Sequence, residues 1–417
     1  MESGLRPRAA MDLLNMRPSP ESAEMSDHLI LLVGGNPLPN YVAGQLLLRE
    51  GGTLHLFHSE GRTGTGRVAQ LLAARFPDVD KKLVPVQARD PGSVYRAISE
   101  HVEAIKSERI GLHYTGGTKV MAVHAYQAVR GTAPNAVFSH LDADTHELVI
   151  EVPTQDGPTT SRHDVLLHAG LGLDDLLALH GIRRVSPARE TVRLASLAHG
   201  LALLHGTEDG RMAWRDARQL LAPTTPARPW SELRTAMKRA GVPAKLLDDL
   251  AGELGYSHDQ PIVLDDSAKV AGFKSAKELT DWLAGTWLEE WTLESVRGLP
   301  DVVCEASLKL RFDLARNQRQ EFEIDVAVLH GYQLLALSCA VSPKEGTAKE
   351  KLLEVYTRAH QIGGDEARAA VVCTVEDTSK IEAEMEDLLG RAQRARVFGA
   401  RDLRDLRQHI AQWLTAV

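Results

Sequence analysis

Between His28 and Leu141 the chain alternates short apolar runs with amphipathic stretches, and few folds accept that pattern. His28–Val33, Thr53–His58, Leu83–Val86, Ile110–His113 and Ala136–Leu141 read as strands. Tyr41–Arg49, Arg67–Phe76, Ser93–Ile105 and Lys119–Arg130 read as helices between them. Neighbouring parallel strands need such crossovers, because the chain must return to the starting edge before each new strand. The pattern therefore predicts an α/β fold: a Rossmann-like parallel sheet over residues 27–155, covered on both faces.

Outside that region the pattern changes. Residues 1–26 carry Pro7, Pro18 and Pro20 without an apolar period and read as a flexible tail. Residues 156–284 read as a linker followed by a helical region. Its stretch 211–245 holds eight basic residues against Asp216 and Glu232, with Trp214 and Trp230 among them. Such a stretch suits either a solvated helical face over two core tryptophans or a surface that tracks a nucleic-acid backbone. Residues 285–417 again mix elements, with helices at Trp287–Val296 and Lys349–Ile362. Strands are expected at Glu305–Phe312, Glu321–Leu329, Gln333–Ser338 and Ala369–Cys373. A length of 417 residues accommodates these units.

Composition excludes several classes. The net charge of −8 argues against a protein that coats duplex DNA. No run approaches the roughly 18 uncharged apolar residues of a membrane helix. The N-terminal stretch lacks the apolar segment of a secretory signal. Three cysteines, Cys304, Cys339 and Cys373, with no CxxC pair, exclude a disulfide scaffold and suit a cytoplasmic protein.

The densest local signal is His113-Tyr114-Thr115-Gly116-Gly117-Thr118-Lys119, between a strand and a helix. Its glycines let backbone approach a ligand, and the helix N-terminus favours a phosphate. Thr115 and Thr118 add hydroxyls and Lys119 a charge. The spacing is neither that of a P-loop nor GxGxxG. A Gly-rich turn capped by Thr118 would look the same. Gly34-Gly35-Asn36-Pro37-Leu38-Pro39-Asn40 and Ser59–Gly66 fall on the same sheet edge, where doubly wound folds bind ligands.

These turns resemble the CARF sensor domains of type III CRISPR systems. The resemblance covers residues 28–150 and implies a homodimer that binds a cyclic oligoadenylate, cyclic tetra-adenylate being the expected form. Thr115, Gly116, Gly117, Thr118 and Lys119 carry over as ligand residues from one turn, and Asn36, Pro37 and Asn40 from the other.

The last segment sets Gly285-Thr286-Trp287-Leu288-Glu289-Glu290 on a helix and Glu323-Ile324-Asp325-Val326 on a strand. A helix carboxylate and a strand aspartate can share a divalent cation for phosphodiester hydrolysis, although alternating charge also suits plain surface. The segment resembles the PD-(D/E)XK restriction-endonuclease fold, which is fused to CARF sensors in CRISPR ancillary nucleases. Glu289, or its neighbour Glu290, carries over as the helix carboxylate and Asp325 as the central ligand of Mg²⁺ or Mn²⁺. Where that pattern has an acid and a lysine, this chain has Ser338-Cys339-Ala340. Three explanations follow: the lysine has migrated to Lys351, with Lys349 or Lys344 as substitutes; Ala340 is a silencing substitution; or the domain binds without cutting. The resemblance thus implies an allosterically activated nuclease acting on DNA, RNA or both, or else a CARF-bearing nucleic-acid-binding regulator with an inactive nuclease-like domain.

Overall fold

The computed structural model describes residues 20–107, 109–187, 189–222, 227–257, 260–299, 305–314, 321–389 and 394–415. Most of the expected tail, and Cys304, lie outside them. The first nine elements follow the expected alternation: β1 (Ser26–Val33), α1 (Leu38–Leu47), β2 (Leu48–Ser59), α2 (Gly66–Ala73), β3 (Asp80–Val86), α3 (Pro91–Glu103), β4 (Ile110–His113), α4 (Lys119–Thr132) and β5 (Val137–Leu141). The strands pair in parallel in the order β3-β2-β1-β4-β5. An antiparallel hairpin, β6 (Glu147–Thr154) and β7 (Gly157–Asp164), extends the sheet to seven strands. The sequence hides β7 because a sheet-edge strand with one wet face needs little apolar side chain, and Pro-Thr-Thr-Ser-Arg is polar throughout. The chain just before β1 is packed as well: Glu24 is buried, with His163 Nε2 3.0 Å from its carboxylate.

β1 is buried on both faces, as a central parallel strand must be. Ile30 and Leu32 face a core shared with α3 and α4. Leu29, Leu31 and Val33 face the opposite way, into a core that continues without a break into the C-terminal half.

That half is built on a second sheet. After α5 (Leu173–Leu179) comes β8 (Ile182–Arg184), then the helices α6 (Ala195–His205), α7 (Glu208–Gln219), α8 (Trp230–Arg239), α9 (Ala244–Leu254), α10 (Leu264–Val270) and α11 (Ala276–Asp281). A π-helical turn, Trp282–Thr286, leads into α12 (Trp287–Arg297). The remaining elements are β9 (Glu305–Leu314), β10 (Glu321–His330), β11 (Gln333–Ala340), α13 (Glu345–Gly363), β12 (Arg368–Cys373), α14 (Ser379–Leu389), β13 (Ala395–Phe398) and α15 (Leu406–Thr415). The sheet order is β13-β12-β11-β10-β9-β8, parallel from β11 to β13 and antiparallel from β8 to β11. One face, with Ala336, Ala369 and Val371, packs on α13 and the shared core. The other, with Val326, Leu337 and Val372, packs on α12 and the helical region. Trp214 and Trp230 are core residues here, so neither is free to stack on a base. Arg211, Arg228 and Arg234 pair with Glu376, Glu232 and Asp248, which dilutes the local basic excess.

The two sheets meet at a polar seam. Asn36 donates to the Glu366 carboxylate at 2.8 Å, and Gln333 donates to the Glu366 carbonyl oxygen at 2.8 Å. Arg394 bonds Asp144, and His146 lies 3.3 Å from the Tyr332 hydroxyl. Gly364 has φ +66° and lies so close to Asn36 that an added Cβ would stand 2.3 Å from its Nδ2, so no other residue is admitted there. Burial pushes the Glu366 carboxyl from the ordinary 4.5 up to about 7, against the opposing hydrogen bond from Asn36. A carboxyl raised on folding contributes its stability in full below pH 4.5 and loses it as pH rises through 7. Glu366→Gln is therefore expected to flatten the dependence of unfolding temperature on pH between 4.5 and 7 and to be the more stable protein above 7. Superimposable pH profiles for parent and variant would contradict it.

Candidate active site and sensor edge

Adjacent residues on a helix point about 100° apart, and α12 uses that to give two neighbouring glutamates different surroundings. Trp287, Leu288, Leu293 and Val296 are buried and dock the helix. Glu290 is fully buried and clamped by Arg189 Nη2 at 2.6 Å, Arg193 Nε at 3.2 Å and the Arg193 backbone N–H at 2.9 Å. It is an anchor, which removes it as an alternative to Glu289. Glu289 instead points to the sheet, where Lys309 Nζ stands 3.2 Å from Oε2. Burial, and after it the charges of Asp325 and Glu323, raise the Glu289 carboxyl to about 7 although Lys309 opposes them.

Asp325 is held on β10 by its neighbour strand. Its Oδ2 accepts from the Ser338 hydroxyl at 2.8 Å and the Cys339 backbone N–H at 2.7 Å. Lys351, in the second turn of α13, places Nζ 3.6 Å from the same oxygen and 3.3 Å from Ser338 Oγ. The structure thus brings Glu289, Asp325 and Lys351 together from three elements far apart in sequence. Lys349 is engaged elsewhere, by Glu384. Burial, and after it the charges of Asp325 and Glu289, push the Cys339 thiol far up although Lys351 opposes them, which leaves it no nucleophile.

Sequence reasoning missed Lys309, Glu323 and the part played by Ser338. Glu323 lies 4.0 Å from Lys309 Nζ, and its other oxygen accepts from Arg311 Nε at 2.5 Å. The signal was present: Lys309 and Arg311 alternate on β9 as Glu323 and Asp325 do on β10, and an antiparallel hairpin sets such rows opposite each other.

Among the described residues no group of three or more His, Cys, Asp or Glu is arranged as a metal site. The donors present nevertheless suit Mg²⁺ or Mn²⁺, which bind through one or two carboxylates and complete their shells with water and phosphate. Among the described residues, Glu289 Oε2 is buried without a hydrogen bond of ordinary geometry and is ion-paired with Lys309.

The three glycine-rich turns of the first sheet do converge. Thr65 donates to the Val33 carbonyl oxygen at 2.8 Å, joining the turn after β2 to that after β1. A Cβ on Gly34 would stand 2.9 Å from Gly117 N, and one on Gly116 2.0 Å from Leu32 O, so the TGGTK turn lies directly on β1. Gly117 has φ +76°. Thr118 caps α4 by accepting from Met121 N at 3.1 Å, and Thr115 Oγ1 accepts from Leu141 N at 2.6 Å. Thr115, Thr118 and Lys119 are exposed along this edge. Asn36, Pro37 and Asn40 lie deeper: Pro37 and Asn40 are buried, Asn40 donates to Leu32 O at 2.9 Å, and the Asn36 amide is taken by Glu366. The third turn, with His58, Arg62 and Arg67, lines a cleft of about 500 Å³.

Residues 276–417 match the family model of the Card1-like endonuclease domain. Ahead of the matched residues stands the seven-stranded, mostly parallel sheet. In solved structures the fold of the chain is shared by protein VC1899 from Vibrio cholerae, with a TM-score of 0.62, 16% identity, and 93% of this chain and 97% of that one covered. It is shared equally by Can2 from Sulfobacillus thermosulfidooxidans, solved in complex with cyclic tetra-adenylate, with a TM-score of 0.62, 16% identity, and 93% and 99% covered. A comparison with curated proteins returns no match.

The two glutamates of α12 are expected to separate cleanly on substitution. Glu290→Ala removes the carboxylate that Arg189 and Arg193 share, leaving Arg193 with Glu278, and should cost on the order of 3 kcal/mol of stability. Glu289→Ala removes a carboxyl that burial already disfavours and should leave stability above pH 7 unchanged or raised. Urea unfolding of both variants measures this, and equal losses would refute the division of roles.

Proposed function

We propose that this chain is a cytoplasmic, homodimeric nuclease of type III CRISPR defence, switched on by a cyclic oligoadenylate and dependent on a divalent cation. The observation that carries the hydrolytic half is the meeting of Glu289, Asp325 and Lys351 in one partly buried site of an endonuclease-type domain. The sensor half is supported by the exposed Thr115-Gly116-Gly117-Thr118-Lys119 turn at the N-terminus of α4 and by the shared fold with Can2, whose structure contains cyclic tetra-adenylate. No helix among the described residues is long and apolar enough to cross a membrane.

Glu289 and Asp325 are the residues that would hold Mg²⁺ or Mn²⁺, which when bound supplies an activated water and charge for the phosphate. Ser338 and the Cys339 N–H hold one Asp325 oxygen, Oδ2, in place. Lys351 brings a cation to where the scissile phosphate gains charge, the task that a lysine on β11 performs in the PD-(D/E)XK pattern. The task is set by the position of the charge, so a lysine arriving from α13 performs it as well.

The test uses the purified full chain with Mn²⁺ and plasmid DNA, single-stranded DNA and RNA, with and without cyclic tetra-adenylate. Cleavage is expected only with the activator. Asp325→Asn should abolish it while activator binding persists, and Lys351→Ala should slow it by about 10²-fold or more, the scale of losing a charge-stabilising donor. Intact activator binding without cleavage of any substrate would instead establish the non-hydrolytic regulator, which the loss of acid and lysine at Ser338 and Ala340 favours.

A further inference from the structure

We propose that Lys309 is a positioning residue of this site: its ammonium is the resident counter-ion of Glu289, and it alternates there with the divalent cation. The inference rests on reading Glu289 and Asp325 as cation ligands. It begins with the backbone. Lys309 stands in the middle of β9 with φ +50°, a left-handed conformation that strands do not use and residues with a Cβ rarely adopt. The β9–β10 ladder is interrupted at that point. Partners run Ile324 with Leu310 and then Val326 with Leu308, leaving Asp325 and Lys309 outside the pairing. Leu308 and Leu310 are buried on either side, so the packing of the strand holds the exception in place.

What the distortion achieves is a placement. Lys309 Nζ lies 3.2 Å from Glu289 Oε2 and 4.0 Å from Glu323 Oε1. Arg311 holds the other Glu323 oxygen, which leaves Oε1 facing Lys309. An ammonium and a divalent cation compete for Glu289 Oε2, because two positive charges crowded on one carboxylate oxygen repel each other. A lysine displaced from Glu289 still has Glu323 within reach, so it need not give up ion pairing. The carboxylates are thereby neutralised when no metal is bound, and metal entry is set against a built-in competitor.

The experiment measures Mn²⁺ binding to the full chain without nucleic acid, by the electron paramagnetic resonance signal of free Mn²⁺. The parent is compared with Lys309→Met, Lys309→Arg and Asp325→Asn. Lys309→Met is expected to bind Mn²⁺ about tenfold more tightly or better, as removal of one adjacent charge requires. Lys309→Arg should behave as the parent, and Asp325→Asn should lose binding. Should Lys309→Met misfold, Lys309→Gly replaces it, since glycine accepts the left-handed backbone; it should tighten Mn²⁺ binding and unfold at a higher temperature than Lys309→Ala. Unchanged or weaker Mn²⁺ affinity on loss of the lysine, with parent binding that Asp325→Asn abolishes, overturns the counter-ion role and leaves the metal reading standing. Absence of Mn²⁺ binding in the parent and in the lysine variants overturns both.

Discussion

A carboxylate taken out of water beside a second carboxylate stays ionised only where positive charge is brought to it, and the C-terminal half is arranged around that requirement. Glu289 is carried inward by a helix whose next residue, Glu290, is locked to Arg189 and Arg193. The anchor fixes the rotation of α12 and hence the direction of Glu289. Asp325 is fixed from the other side by hydrogen bonds from β11. Between them stand Lys309 and Lys351, one on each flank. Remove the lysines and the pair is a repulsive contact in a poorly solvated place. Under the proposed function, a divalent cation would offset the same two charges.

The helix that carries Lys351 also sets the distance between the two halves of the molecule. At about 3.6 residues per turn, α13 runs on past Lys351 for a little over three turns to Gly363. The residue after it, Gly364, packs against Asn36, and Glu366 accepts the Asn36 amide hydrogen bond. Asn36 belongs to the turn after β1, which touches the TGGTK turn through Gly34 and Gly117. One continuous helix therefore has the glycine-rich edge of the first sheet at one end and the carboxylate pocket near the other. Close-packed elements shift as bodies and do not bend smoothly. A change in the β1 turn that displaced Asn36 would press on the end of the element that positions Lys351.

The parts legible in the sequence are those whose signal is local. Strands β1, β2, β4 and β5 and the crossover helices announce themselves because parallel strands inside a covered sheet are apolar runs bounded by turns. Asp325 stands out as a single charge between Ile324 and Val326. What escaped depends on pairing across distance. β7 is polar because its partner, β6, supplies the apolar face. The buried state of Glu290 depends on Arg189 and Arg193, about a hundred residues away, which no window of sequence connects to it. The same applies to Asn36. As a turn residue beside a glycine pair it reads as a ligand group, but its amide meets Glu366, 330 positions further on. Lys309 is the intermediate case, since its place opposite Asp325 follows from hairpin register but its left-handed backbone does not.

The replacement of an acid and a lysine by Ser338 and Ala340 looks, along the chain, like the loss of a site. In three dimensions the consequences are narrower. Ser338 keeps the acid's position and trades a negative charge for a hydroxyl that donates to Asp325 and lies within reach of Lys351. Ala340 stands where the PD-(D/E)XK pattern would have a lysine, and Lys351 on α13 faces Asp325. Losing one carboxylate and moving one lysine leave the pocket less negative than the usual pattern, and the presence of Lys309 lowers its charge further. A pocket of that kind attracts a free divalent cation less strongly and depends more on the phosphate of a bound nucleic acid to complete the cation's shell. Under the proposed function, metal and substrate binding would then be coupled.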